Sequence, residues 1–193
     1  AIIEEHLTGV TLPEPERSIL KRVIHTTADF DYTENLCFSE NAVSSALEAL
    51  QRGAHIVTDT NMALSGINKR SLHGLGCEAY CFMSDADVAE EARVRGVTRA
   101  MVSMEKACWL DGDLIFAVGN APTALIQLDE LIRAGKLLPK LIIGVPVGFV
   151  NVVEAKELIM AQEQVPYIVA KGRKGGSNVA AAICNALLYQ LYR

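Results

Sequence analysis

The sequence predicts a three-layer α/β/α domain in which helices cover both faces of a mostly parallel five-stranded sheet. Three observations predict it: five short apolar runs recur along the chain, helical patterns alternate with them, and successive runs lie about 20 to 35 residues apart, as βαβ crossovers require. The 193 residues are half hydrophobic, enough to bury the core of one domain spanning residues 1–193.

In chain order, two helical segments come first, roughly residues 14–28 and 39–52. All of residues 1–52 is expected to pack on the sheet as a helical segment. The five runs follow: His55-Ile56-Val57-Thr58, Ala79-Tyr80-Cys81-Phe82-Met83, Leu114-Ile115-Phe116-Ala117-Val118, Leu141-Ile142-Ile143-Gly144-Val145 and Tyr167-Ile168-Val169-Ala170. Short continuous apolar runs of this kind are expected as strands buried on both faces. Helical patterns lie between or after them at residues 84–95, 98–110, 123–134, 152–162 and 177–192. No repeat, linker or low-complexity stretch divides the chain. In such a sheet, ligands gather at the carboxyl ends of the strands, where strand order reverses.

Composition narrows the setting. A formal charge of −5 and the lack of a basic patch argue against nucleic acid or an anionic membrane surface as partner. No apolar run approaches the roughly 18 residues that span a bilayer, and Ala1 to His6 do not read as a signal peptide, so a cytoplasmic protein is expected. Cys37, Cys77, Cys81, Cys108 and Cys184 are odd in number and contain no C-x-x-C, which points away from a disulfide framework or a closed zinc site. Cys77 and Cys81 read as small buried side chains.

The strand-to-helix turns carry the chemistry. Thr58-Asp59-Thr60-Asn61-Met62 offers Asp59 or Thr60 as a helix cap. In Gly119-Asn120-Ala121-Pro122-Thr123, Asn120 is the expected cap and Pro122 falls in the first turn, where a helix tolerates it. Val145-Pro146-Val147-Gly148-Phe149 and Gly172-Arg173-Lys174-Gly175-Gly176-Ser177 complete the set. Helix N-termini present unpaired N–H groups and partial positive charge, so several on one edge suit a ligand with several anionic groups. Taken singly, the first three turns are explained as well by local backbone needs; Arg173 and Lys174 beside paired glycines point to an anion. The first turn lacks the G-x-G-x-x-G of dinucleotide folds, and no phosphate-loop motif occurs. Of four histidines, His6, His55 and His73 read as structural, and His25, after Arg22-Val23-Ile24, is the candidate acid. No serine or cysteine stands in a nucleophile elbow, and no His/Asp/Glu cluster has metal spacing.

Read together, Arg22-Val23-Ile24-His25, Thr58-Asp59-Thr60-Asn61-Met62, Gly119-Asn120-Ala121-Pro122-Thr123-Ala124-Leu125, Gly144-Val145-Pro146-Val147-Gly148-Phe149-Val150 with Glu154-Ala155-Lys156, and Gly172-Arg173-Lys174-Gly175-Gly176-Ser177 resemble the ordered signature of the precorrin-8X methylmutases. The resemblance runs over residues 1–188. It implies a five-stranded parallel sheet, a homodimer, and a site at the strand carboxyl ends near the subunit boundary. It also implies an isomerase of cobalamin biosynthesis that shifts a methyl group on ring C of a precorrin-8 type tetrapyrrole, from carbon eleven to carbon twelve, to give a hydrogenobyrinate- or cobyrinate-type corrin. No redox partner, nucleotide, cofactor or resident metal is implied.

The resemblance implies residue roles as well. His25 takes the part of the acid that protonates or hydrogen-bonds the ring C nitrogen. Arg173, Ser177, Asn120 and Thr123 would meet the carboxylates on the rim of the substrate, with Thr58, Asp59, Gly175 and Gly176 in the same turns and Arg99 matching a family arginine. Met62 and Phe149, with Val147 and Val150, would line the faces of the apolar ring, and Gly148 would let backbone approach it closely. The family usually carries a further stretch ahead of Ala1-Ile2-Ile3, so the pocket is expected to look open. No residue chooses between a cobalt-containing and a metal-free ring. Two rival readings are a non-catalytic corrinoid carrier and an enzyme for a phosphorylated metabolite using the Arg173 turn.

Overall fold

The structure, a computed structural model, describes residues 2–192. In chain order the elements are α1 (Ile2–His6), α2 (Glu16–Thr27), α3 (Tyr32–Asn35), β1 (Leu36–Phe38), α4 (Ala42–Gln51), β2 (His55–Thr58), α5 (Asn61–Gly66), α6 (Lys69–Gly74), β3 (Glu78–Tyr80), α7 (Ala86–Arg95), α8 (Arg99–Ala107), β4 (Leu114–Val118), α9 (Pro122–Arg133), β5 (Leu141–Gly144), α10 (Val152–Ala161), β6 (Tyr167–Ala170) and α11 (Ser177–Leu191).

Period-two alternation along the strands builds the three layers. Ile56, Ile115, Ala117, Ile143, Ile168 and Ala170 face a core closed by α2, α4, α5, α6 and α11. Their neighbours Val57, Leu114, Phe116, Val118, Ile142 and Val169 face a second core closed by α8, α9 and α10. Strands β4 and β5 are buried along their whole length between the two cores, which is why those runs read as continuously apolar rather than alternating.

The sheet has six strands in the order β1-β6-β5-β4-β2-β3, not the five expected. The additional strand, β1, pairs antiparallel with β6 through Leu36↔Ala170, Cys37↔Val169 and Phe38↔Ile168, and every other pairing is parallel. Three residues between two helices are too few to show a period, and only long-range pairing makes them a strand. Ser39, expected to open a helix, instead extends this ladder: its N–H donates to the Tyr167 carbonyl at 3.0 Å and its hydroxyl accepts from the Tyr167 N–H at 2.7 Å. The run 79–83, expected to be buried on both faces, is a strand only as far as Tyr80. It forms the outer edge, half-buried, and Phe82 and Met83 leave the strand to pack on the second core.

The order places a topological switch between β2 and β4. The chain leaves β2 toward β3 on one side and returns as β4 on the other. The carboxyl ends there are Thr58 and Val118, so the crevice that such a switch opens lies between the Thr58–Met62 and Gly119–Thr123 turns.

Candidate functional site

The turns at this edge hold one another. Asp59 is buried, and its carboxylate accepts from the N–H of Gly119 at 2.8 Å, Asn120 at 2.9 Å and Ala121 at 2.7 Å. It thereby fixes, from a different turn, the three residues that lead into α9. Ala121 is the cap residue and makes no side-chain cap, so Asn120, expected in that role, is left exposed at the edge. Pro122 sits in the first turn as expected. Burial pushes the Asp59 carboxyl above its usual range, against the pull of the three N–H groups. Thr60, the second residue considered, is the one that caps α5, accepting from the Ala63 N–H at 3.0 Å. Thr58 donates to the Thr60 carbonyl at 3.0 Å.

Similar links join the remaining turns. The hydroxyls of Thr60 and Ser177 lie 2.7 Å apart, the Gly148 N–H donates to the Arg173 carbonyl at 3.1 Å, and the Gly176 N–H donates to the Val145 carbonyl at 2.9 Å. Two glycines are dictated by this closeness. A Cβ on Gly119 would stand 2.7 Å from Ser177 Cα, and one on Gly175, at φ +158°, would stand 2.0 Å from the Val145 carbonyl oxygen. Thr98 donates to the Thr123 hydroxyl at 2.9 Å and also caps α8, which sets Arg99 beside the third turn. Arg99 and Arg173 are exposed, and neither guanidinium has a hydrogen bond or ion pair among the described residues.

Apolar side chains stand clear of both cores at the same edge. Met62 is 72 % exposed, Phe149 87 %, Val150 75 % and Val147 47 %. Core packing, the ordinary role for such residues, does not account for them.

His25 lies elsewhere on the surface. It is exposed in the last turn of α2, which ends in a left-handed Ala28. It lines a groove of about 1180 Å³ formed by α1, α2, α6 and α11, together with Lys21, Arg22, Phe30, Arg70 and Tyr189. None of the edge residues named above lines that groove. Lys21, Arg22 and Arg70 face a single carboxylate, Glu4, so the groove is locally basic in a chain of net charge −5. Glu4 is engaged by Lys21 and Arg17, and the Arg22 guanidinium stacks 4.6 Å over the Tyr189 ring. Arg70 has no hydrogen bond or ion pair among the described residues. The groove and the edge are joined by α11, which runs from Ser177 to Leu191, and by an ion pair: Lys174 bonds Asp29 at 2.7 Å and also Asp31, just beyond the helix that carries His25.

The other histidines sit apart. His6 stacks on Phe30 at 4.1 Å, His55 meets the Tyr80 ring edge-on with a buried, unpaired Nδ1, and His73 approaches Glu78 at 3.6 Å. Cys77 and Cys184 are buried, with burial pushing their thiols up to about 11 and about 12. Cys81 is only partly buried, because its run ends at an edge strand. Among the described residues no group of His, Cys, Asp and Glu could hold a metal ion, and no helix is long and apolar enough to cross a membrane. Sequence reasoning assigned no role to Arg70, Lys21 or Tyr189, which carry no motif and converge only through folding. Lys156, in the Glu154-Ala155-Lys156 segment, is buried, which its place on a helix does not reveal.

Comparison with known proteins identifies the family and the fold. The family model described as precorrin-8X methylmutase matches residues 1–190. A cobalt-precorrin-8 methylmutase of Leptospira interrogans is 44 % identical over 97 % of this chain and 89 % of its own length. One from Salmonella typhimurium is 48 % identical over 90 % and 81 %. The crystal structure of a precorrin-8x methyl mutase from Thermus thermophilus superimposes with a TM-score of 0.84 at 39 % identity, covering 98 % of this chain and 96 % of that one.

Proposed function

The chain belongs to the precorrin-8X methylmutase family, isomerases of cobalamin biosynthesis, and on that premise we propose that it moves a methyl group on ring C of a precorrin-8 type tetrapyrrole with His25 as the acid. The observation that carries this reading is the placement of an exposed imidazole in a large, locally basic groove of an acidic protein. Drug-sized ligands fill pockets of about 300–1,000 Å³, and this groove is at or beyond the upper end. A broad ring fringed with carboxylates matches both its size and its charge.

The chemistry asked of the protein is small. The methyl group leaves carbon eleven and bonds carbon twelve of the same ring, and no atom is gained or lost. A hydrogen bond or proton from the His25 imidazole to the ring C nitrogen draws electrons from the carbon that receives the methyl, and a positioned acid contributes about 10²–10⁴ in rate. Arg70 and Arg22 would pair with rim carboxylates.

The complete site, in this proposal, forms in a homodimer in the cytoplasm. One chain offers the imidazole groove and the edge shelf of Met62, Val147, Phe149 and Val150 as separate surfaces, and a second copy bringing its edge over the groove would enclose the ring with Arg99, Asn120, Thr123, Arg173 and Ser177 at its rim. Membership in an isomerase family sets aside the carrier reading. Multiple turnovers of the chromophore, followed by visible absorbance with either cobalt-containing or metal-free substrate, are expected for the wild type. A single stoichiometric spectral shift would sink the proposal.

A further inference from the structure

We infer that Lys156 is a positioning residue for substrate binding: its buried ammonium holds the loop between β6 and α11 in the shape that leaves Arg173 and the loop's N–H groups free at the edge. Lys156 lies on α10 and is 1 % exposed. Its Nζ donates to the Gly172 carbonyl at 2.7 Å and to the Lys174 carbonyl at 2.9 Å. The carbonyl between them, Arg173, accepts from the Gly148 N–H. Three consecutive carbonyls are therefore engaged within the protein, while the N–H groups of Arg173, Lys174 and Gly175 have no acceptor among the described residues. Turning carbonyls inward leaves a run of N–H groups exposed, the arrangement that binds anions.

A purely structural explanation fits poorly. Among the described residues no carboxylate pairs with Lys156, and burial alone pulls its ammonium down to about 8. A buried cation without a counter-ion is a costly way to fill space that methionine would fill. Gly172 and Lys174 are exposed, so their carbonyls would find water if the lysine were absent. What the ammonium supplies is one defined loop shape beneath Arg173, and through Lys174 a defined tether to Asp29 and Asp31 at the end of the His25 helix.

This inference rests on the proposed substrate only for the identity of the anion, and the test separates the two. Wild type, K156M and K156R are titrated with a cobyrinate-type corrin acid by visible absorbance and assayed for turnover. Loop exchange is followed by hydrogen–deuterium exchange without ligand. K156M is expected to bind about tenfold to a hundredfold more weakly, because the ligand must then order the loop as it binds. KM rises accordingly, kcat stays within about threefold, exchange quickens only at Gly148 and Gly176, whose N–H groups hold the loop to its neighbouring turn, and K156R recovers most of the affinity. If K156M does not fold, K156Q takes its place. Affinity within twofold of wild type, or exchange that quickens throughout the sheet, overturns the inference. A wild type that binds no corrin acid overturns the proposed function instead, and the exchange result then decides the role of Lys156 alone.

Discussion

The strand edge and the His25 groove are built in opposite ways. At the edge, four turns fasten one another through backbone groups: Asp59 to three N–H groups, Gly148 to Arg173, Gly176 to Val145, with Thr60 and Ser177 in side-chain contact. In the groove the decisive groups are side chains on four helices, and the His25 and Arg70 side chains make no hydrogen bond among the described residues. A surface of fixed backbone donors orients a ligand without reorganising as it binds. Free side chains on rigid helices supply charge and a proton, and their loss leaves the scaffold untouched. Substitutions in the groove should therefore alter reaction without stability, and those at the edge should alter both.

The largest effect tests the groove half of that statement. His25→Ala is expected to lower kcat by about 10²–10⁴. Its unfolding free energy should stay within about 0.5 kcal/mol of wild type, as for exposed positions without partners. Normal turnover in this variant would remove His25 from the mechanism, and a large fall in melting temperature would erase the contrast between the regions. At the edge, Gly175→Ala must move a Cβ away from a carbonyl oxygen 2.0 Å distant. A loss of about 2–4 kcal/mol in denaturant unfolding is expected, together with a raised KM.

The two regions also differ in how far the sequence reveals them. The edge is legible because caps, Pro122 and paired glycines leave their mark within a few residues of chain. Even so, the donor–acceptor pairing is not: Asn120 is the local candidate for capping α9, yet its own N–H, with those of Gly119 and Ala121, is held by the Asp59 carboxylate from 60 to 62 residues earlier. Strands β4 and β6 match their apolar runs residue for residue because they are interior. Strand β1 was missed because its existence depends on a partner more than 130 residues away. The groove was illegible apart from His25, since Lys21, Arg70 and Tyr189 share no local pattern. Lys156 lies within a motif, but a lysine on a helix reads as solvated until its packing is seen.

A third, smaller effect sharpens the edge half through pH. The Lys156 ammonium titrates near 8 in the folded chain and near its ordinary value of about 10.4 when unfolded. Between those values the unfolded chain binds more protons, so this group's contribution makes the protein more stable as pH rises through the window, by at most about 3 kcal/mol. Below 8 the folded state bears the cost of keeping the charge. The difference in unfolding free energy between wild type and K156M should change with that slope and sign. A difference that stays flat from pH 7 to 10.5 would mean that the ammonium is better solvated than its burial implies.

The smallest effect returns to the groove and asks whether its basic character matters to the ligand. Arg70 is exposed and unengaged among the described residues, so Arg70→Gln removes a charge without orphaning a buried group or opening a cavity. One charge-assisted hydrogen bond to a rim carboxylate corresponds to roughly tenfold in affinity, and in the proposed dimer, where a second copy covers the groove, salt screens it only weakly. Titrating both proteins with the corrin acid at low and high ionic strength is expected to show a roughly tenfold gap that changes little with salt in the dimer and narrows with salt once the protein is diluted to monomer, at unchanged kcat and melting temperature. A gap that narrows equally in both states would leave Arg70 in an open groove and remove the covering copy from the proposal.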